Sequence, residues 1–472
     1  MKSLILYDKK QDKIKSDKIS EYDLDELESL IMFRHGEEFL KIPESKIGKH
    51  TVLESFALNN ISWWWFAAPT IHPKYKDAML FIDRLNILLD ENSFEILKLK
   101  GCFNKLEIIQ KICKNKKIKL EVSKNEYYIY SKKLQLKNLI KKNAYKKINS
   151  NKLKKRLDFF KKTSKYTQPS PGYVLITSPG VYRRKSFDVL KNKTINKENF
   201  IEPFLHYCEN NSIPLFCIDL DYTFRGTTES LEERLKSNVN WIPIEYILNN
   251  EKSDFTKKIS NDFQNLIKNL KKNMPSDVFS YKGISLWSVI KPVMDDILLE
   301  PYFPTYFHLI ENIETFLKKT KPSVIIQTYE AGPYAKAIEL VAKKLKIKTI
   351  AIQHGLILRD TPDYFFNQIR TDQIPLGNII PDITLVFGEY YKELLVEKSA
   401  YPKKNIEIFG HPEYFNVNEI KSKINKQKLQ SKFGWTKKFV ILVSLSFRFF
   451  DIPNSPDRII LNIIYNEFKN DN

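Results

Sequence analysis

The sequence predicts an α/β fold, a parallel sheet with helices on both faces. Three observations carry this. Short apolar runs without alternation recur between residues 173 and 443, as strands buried on both faces require. Stretches with apolar residues at helical spacing separate them. Several runs end at a glycine, histidine or acidic residue, where a strand passes into a loop at the carboxyl edge of the sheet.

The clearest unit lies between Lys321 and Phe415. Ser323-Val-Ile-Ile-Gln-Thr, behind Pro322, reads as a buried strand, and Tyr329-Glu330-Ala331-Gly332-Pro333 as a turn into a helix. Proline suits the first helical turn because its missing N–H is an unused donor there. Ala335, Ile338, Val341, Ala342 and Leu345 supply the apolar stripe, and Lys348-Thr-Ile-Ala-Ile forms the next strand, ending in Gln353-His354-Gly355. Strand–helix–strand of this length is a right-handed crossover. Glu330 and His354 therefore stand at carboxyl ends of neighbouring strands and are expected to face one cleft.

Residues 1–130 predict an N-terminal α/β unit, with strands at Ser3–Tyr7 and 118–122 and helices over 22–33, 75–89 and 105–113. Ile61-Ser-Trp63-Trp64-Trp65-Phe66 sets three tryptophans in a row. Consecutive side chains diverge in any regular structure, so the cluster serves packing with at least one ring turned to a groove or interface. His72 is placed in a proline-flanked loop.

Between 131 and 166 there are fourteen Lys or Arg against Asp158 alone, a net of +13 and more than half of the chain's +21. Leu136, Ile140, Ala144 and Ile148, then Leu153, Leu157 and Phe160, keep helical spacing. A basic amphipathic helix of this kind suits an anionic bilayer surface or a nucleic-acid backbone. It equally fits an exposed connector.

Beyond Gln168-Pro-Ser-Pro-Gly172 the winding begins: a strand at 173–177, a loop with Arg183-Arg184-Lys185, a helix over 199–210, and a strand at 213–218 ending in Asp219-Leu-Asp221-Tyr-Thr223. That pentad resembles the nucleophile motif of haloacid-dehalogenase-type phosphatases. Here it lies mid-chain, and no lysine or distal acidic pair follows at strand ends. The aspartates are expected instead to cap the next helix or to line the cleft. Helices follow over 228–250, interrupted by Trp241-Ile-Pro-Ile, over 255–272, and from about 286 to 318. After the central unit come a strand at 382–387, a helix over 391–398, a strand at 405–409 ending in Gly410-His411-Pro412, a helix over 417–437 and a strand at 438–443.

A length of 472 residues predicts two or three domains. Thirteen glycines, with no G-x-G-x-x-G and no P-loop, argue against ordinary dinucleotide and nucleoside-triphosphate sites. The four cysteines show no metal-ligand spacing and read as reduced thiols of a cytosolic protein. No cofactor and no metal is implied.

The order Glu330-Ala-Gly332-Pro333, helix, strand, Gln353-His354-Gly355, and then a strand into Gly410-His411-Pro412 resembles GT-B glycosyltransferase-type proteins of surface polysaccharide synthesis. That group includes UDP-N-acetylglucosamine 2-epimerase-like proteins, capsule transferases and CDP-glycerol glycerophosphotransferases. The resemblance covers residues 170 to 415. It implies two Rossmann-like domains across a cleft, the first for an acceptor and the second for an activated nucleotide donor. The corresponding division is an N-terminal unit (1–130), a basic helical connector (131–168), a Rossmann-like domain with the cleft residues (169–415), and the start of a second, truncated one (416–472). Phe415 stands where the family often has an aspartate. About 55 residues follow it, against the roughly 120–150 of a complete domain.

The resemblance further implies transfer of a sugar or polyol phosphate to a hydroxyl acceptor by metal-independent general-base catalysis. His354 would be the base or a phosphate partner, with Glu330 orienting it or acting itself. The helix start at Gly332-Pro333 would hold an anion. Gln353, Gly355, Arg359, Gly410, His411 and Pro412 would complete the substrate surface. The partners would be a nucleotide-sugar donor, a glycan or lipid-linked acceptor, and an anionic membrane surface through 131–166, at the inner face of the membrane; nucleic acid ranks lowest. A sugar-nucleotide 2-epimerase and a non-catalytic glycan- or partner-binding remnant are the alternatives.

Overall fold

The computed structural model describes residues 3–7, 19–23, 36–164, 166–188, 193–220, 228–248, 254–273, 277–297, 303–357, 364, 376–399, 401–414, 417–435 and 456–468. Among these residues two parallel sheets dominate.

The N-terminal sheet contains β1 (Ser3–Tyr7), β2 (Ile19–Asp23), β3 (Ile96–Leu99) and β4 (Lys119–Val122), in the order β2-β1-β3-β4. Tyr22 and Asp23, placed at the start of a helix from the sequence, close a strand instead: β2 pairs in register with β1. The rest of that expected helix lies outside the described residues. β3 has clean alternation in Ile-Leu-Lys-Leu, with Leu97 and Leu99 buried.

Helix α1 (Trp64–Glu91) passes through Pro69 and Pro73, so His72 is a helical residue, buried edge-on against Phe39 at 5.0 Å. The expectation of a loop fails because burial on several sides outweighs the backbone bonds that each proline forgoes. All three tryptophans are 5% exposed or less. Trp63 meets Phe66, Phe263 and Phe307, Trp64 meets Phe39, Phe56 and Phe279, and Trp65 donates its indole N–H to the Leu376 carbonyl. Diverging rings all find cover because this helix start is enclosed by several elements, including the helices Asp254–Asn273 and Phe303–Thr320. The core thus runs continuously from the N-terminal unit into the rest of the chain.

Helix α2 (Lys124–Thr163) carries the basic segment. Its last turns are buried: Arg156, Leu157 and Phe160 enter the core beside the second sheet.

That sheet holds β5 (Val174–Pro179), β6 (Leu215–Leu220), β7 (Asn240–Pro243), β8 (Val324–Gln327), β9 (Lys348–Ile352), β10 (Ile383–Val386) and β11 (Ile406–Ile408). The order is β7-β6-β5-β8-β9-β10-β11, parallel throughout. From β5 the chain winds one way to β7, then returns beside β5 and winds the other way to β11. This is a doubly wound, Rossmann-like α/β sheet, and its switch point lies between β5 and β8. Alternate residues face opposite layers: Leu175, Phe216, Ile218 and Ile325 join the large core, while Ile176, Cys217, Ile326 and Ile352 pack with Trp241 and Ile201 on the other side. Each such buried side chain contributes about 1.5–3 kcal/mol.

Two further expectations change. Trp241-Ile-Pro is the edge strand β7 rather than an interrupted helix, a place where proline is tolerated. Arg183-Arg184-Lys185 is no loop but one arm of an antiparallel hairpin, Arg183–Asp188 with Lys193–Glu198. After β11 the described residues hold helices Val417–Lys423, Lys426–Lys432 and Pro456–Phe468. The strand expected at 438–443 lies outside the described residues, as do Arg359, Phe415, Asp221 and Thr223. The four cysteines are buried thiols.

Candidate active site

The switch point brings three strand ends together. β5 leads through Pro179 and Gly180 to Tyr182, β8 leads to Tyr329 and Glu330, and β9 leads to His354. The His354 ring lies edge-on to Tyr329 at 4.5 Å and 5.9 Å from Tyr182. Burial pushes its pKa down to about 4, so the imidazole is neutral at neutral pH. Its Nδ1 is buried and makes no hydrogen bond among the described residues.

From this point a row of rings runs along the carboxyl rim. Tyr182 meets Phe200 at 4.8 Å, and Phe200 meets His411 at 6.0 Å. His411 in turn lies 4.3 Å from Phe387 and 4.8 Å from Tyr414. The two histidines singled out from the sequence thus belong to one rim, joined through two rings that the sequence reading did not select. The signal for Tyr182 and Tyr329 was there: each stands one residue before a charged side chain just past a strand. Gly410 adopts φ +84°, which lets the chain turn His411 back over Phe387, and Pro412 is buried behind it.

Gln353 and Gly355 have inward duties. The fully buried Gln353 amide donates to the Gly355 carbonyl at 2.7 Å and accepts from the Phe387 N–H at 2.8 Å. It braces the turn that carries His354 and ties it to the end of β10.

Glu330 is buried, and no hydrogen bond or ion pair links it to His354. The expected contact with the imidazole is not made, and the carboxylate lies within electrostatic reach of the following helix, α4 (Pro333–Lys344). There it acts electrostatically on Glu339, whose carboxyl is driven well above the usual range by burial first, with the neighbouring Glu330 and Asp382 adding to the effect against Lys336 and Lys343. Lys336 donates to the Asn378 side chain at 2.8 Å. Gly332 is the N-cap of α4 and Pro333 its first residue, so the positive end of this helix lies at the same rim.

The other half of the rim is held by buried charge. Arg234, on helix α3 (Glu229–Leu235) of the β6–β7 crossover, donates to both Glu198 oxygens, to Asp219, and to the carbonyls of Ser178 and Pro179. Its guanidinium covers the Trp241 ring at 4.1 Å. Asp219 also receives Arg156, which donates to Glu245 at 2.8 Å. Asp219 is therefore a sealed ion-pair hub, not an accessible nucleophile or a helix cap. Gly180 fits here because a Cβ would collide with Ser230 and approach Asp219. Arg183 reaches Glu198 at 3.4 Å while its Nε makes no hydrogen bond among the described residues. It is the cation nearest in sequence to Tyr182.

Among the described residues no three His, Cys, Asp or Glu side chains group as metal ligands. The fold defines a doubly wound, Rossmann-like α/β protein, and the rim at its switch point is the candidate site. No protein-family model matches the chain, and no curated protein matches it.

Proposed function

We propose that this rim is the acceptor half of a transferase site, which moves a sugar or polyol phosphate from a nucleotide-activated donor to a hydroxyl. The observation that carries the reading is the neutral His354 ring seated between Tyr182 and Tyr329 where β5, β8 and β9 end. A neutral imidazole has a lone pair available for a proton, and the flanking rings offer flat apolar faces to the carbon skeleton of a sugar. In the reaction the acceptor O–H gives its proton to His354 as its oxygen forms the new bond. The bond to the leaving nucleoside phosphate breaks, and its electron pair departs with that phosphate. The start of α4 at Gly332-Pro333 and the Arg183 guanidinium meet the charge that develops there. Glu330 serves by shaping the field beneath the turn rather than by touching the base.

The test is a turnover assay of the full chain with a panel of nucleotide sugars and CDP-glycerol, with and without oligosaccharide acceptors. His354→Gln is expected to lower turnover by about 10²–10⁴, with kcat/KM of the parent protein falling off on the acid side near pH 4 rather than 6.5. Full turnover in His354→Gln would sink the proposal. Product formed without any acceptor would turn it toward epimerisation.

A further inference from the structure

We propose that the outward face of the first third of α2 docks on an anionic lipid surface. On its inner side this stretch is anchored, with Tyr127 and Tyr130 against Phe103 at 5.7 and 5.4 Å. On the outer side Ile129, Leu136 and Ile140 recur seven and four residues apart and so share one face. All three are between 51% and 59% exposed. Tyr128, 61% exposed, flanks them, with the Lys132 ammonium 5.6 Å above its ring, and Lys133 follows one turn after Ile129.

The structure thereby divides what the sequence presents as one basic amphipathic helix. Leu157 and Phe160, expected on the same apolar stripe, are spent inside the core, and Arg156 is spent on Asp219 and Glu245. Among the described side chains of this helix, the exposed apolar ones lie between Tyr127 and Ile140. Between Lys124 and Thr163 there are still fourteen Lys or Arg against Glu126 and Asp158.

Charge complementarity selects an anionic partner, and the aliphatic side chains select lipid. A nucleic-acid backbone attracts lysines but offers isoleucine and leucine nothing. A headgroup–acyl boundary accepts the aliphatic groups, places tyrosine at its polar level, and lets lysines extend to the phosphates. Among the described residues no helix is long and apolar enough to cross a membrane, so the contact is with a surface.

The experiment is co-sedimentation of the full chain with vesicles of phosphatidylcholine alone and of phosphatidylcholine mixed with phosphatidylglycerol, at low and high salt. Binding is expected to the phosphatidylglycerol vesicles, weakening with salt. The exposed positions allow two fold-neutral variants, checked by thermal melting: Ile129→Ser with Leu136→Ser and Ile140→Ser, and Lys132→Glu with Lys133→Glu. Each is expected to weaken binding about tenfold or more. Sedimentation with neither vesicle overturns the proposal. So does parental binding by the triple serine variant, since charge alone would then account for the attraction.

Discussion

Arg156, near the end of the long basic helix, and Asp219, at the carboxyl end of β6, form an ion pair sealed from solvent. Asp219 shares its other oxygen with Arg234, so two arginines from distant parts of the chain converge on one carboxylate. Removing one partner from such a network leaves buried charge uncompensated, at a cost of about 3–5 kcal/mol. Arg156→Met is expected to lower stability by this amount, because Asp219 and Glu245 both lose its guanidinium. Urea unfolding should show a lower midpoint at unchanged slope. A midpoint within error of the parent would mean that the network does not hold the helix to the sheet.

Glu339 makes stability depend on pH in a defined direction. Its folded-state pKa is raised well above 4.5, chiefly by burial. The stability it contributes is full below about pH 4.5 and is lost as pH rises toward the folded value, because the unfolded chain releases the proton first. Glu339→Gln copies the protonated form without that loss. The variant is expected to melt above the parent at pH 8 and level with it near pH 4, in paired thermal scans.

His354 acts in the opposite sense. With a folded pKa of about 4 against an ordinary 6.5, the unfolded chain binds the extra proton between those values. Stability therefore rises with pH from about 4 to 6.5 and is flat above. His354→Gln should flatten that part of the melting curve, and an unchanged slope would contradict the burial of the ring.

Gln353→Met removes the brace between the His354 turn and β10. The Phe387 N–H and the Gly355 carbonyl lose their partner, which costs about 1–3 kcal/mol. Faster hydrogen exchange at Phe387 is the direct readout.

Trp64→Ala opens a cavity among Phe39, Phe56 and Phe279. The expected cost is about 3–5 kcal/mol, read by denaturant unfolding. A loss below 1 kcal/mol would mean that the ring is not enclosed.

Local chemistry alone was enough to place most strands of the second sheet and to mark the turns after them. Buried strands have a continuous apolar signature, and a proline just inside a helix start explains itself at Pro333. The same local rules misread Trp241-Ile-Pro-Ile, since an edge strand of four residues is too short to outvote its helical surroundings. They also misread the Arg183 hairpin, whose arms are polar because only part of it is buried.

The site divides along the same line. His354 and His411 stood out from their positions at strand ends, a property of sequence order. That Tyr182 lies beside His354, that Glu330 makes no bond to it, and that Gln353 looks inward all depend on which strands are neighbours. The placement of β5 beside β8, roughly 150 residues apart in the chain, follows from the direction of winding, and no window of sequence contains it. What the sequence determined by itself is the kind of sheet and the chemistry available at its edge. Which of those groups meet was decided by tertiary packing, because strand order joins residues that share no local signal.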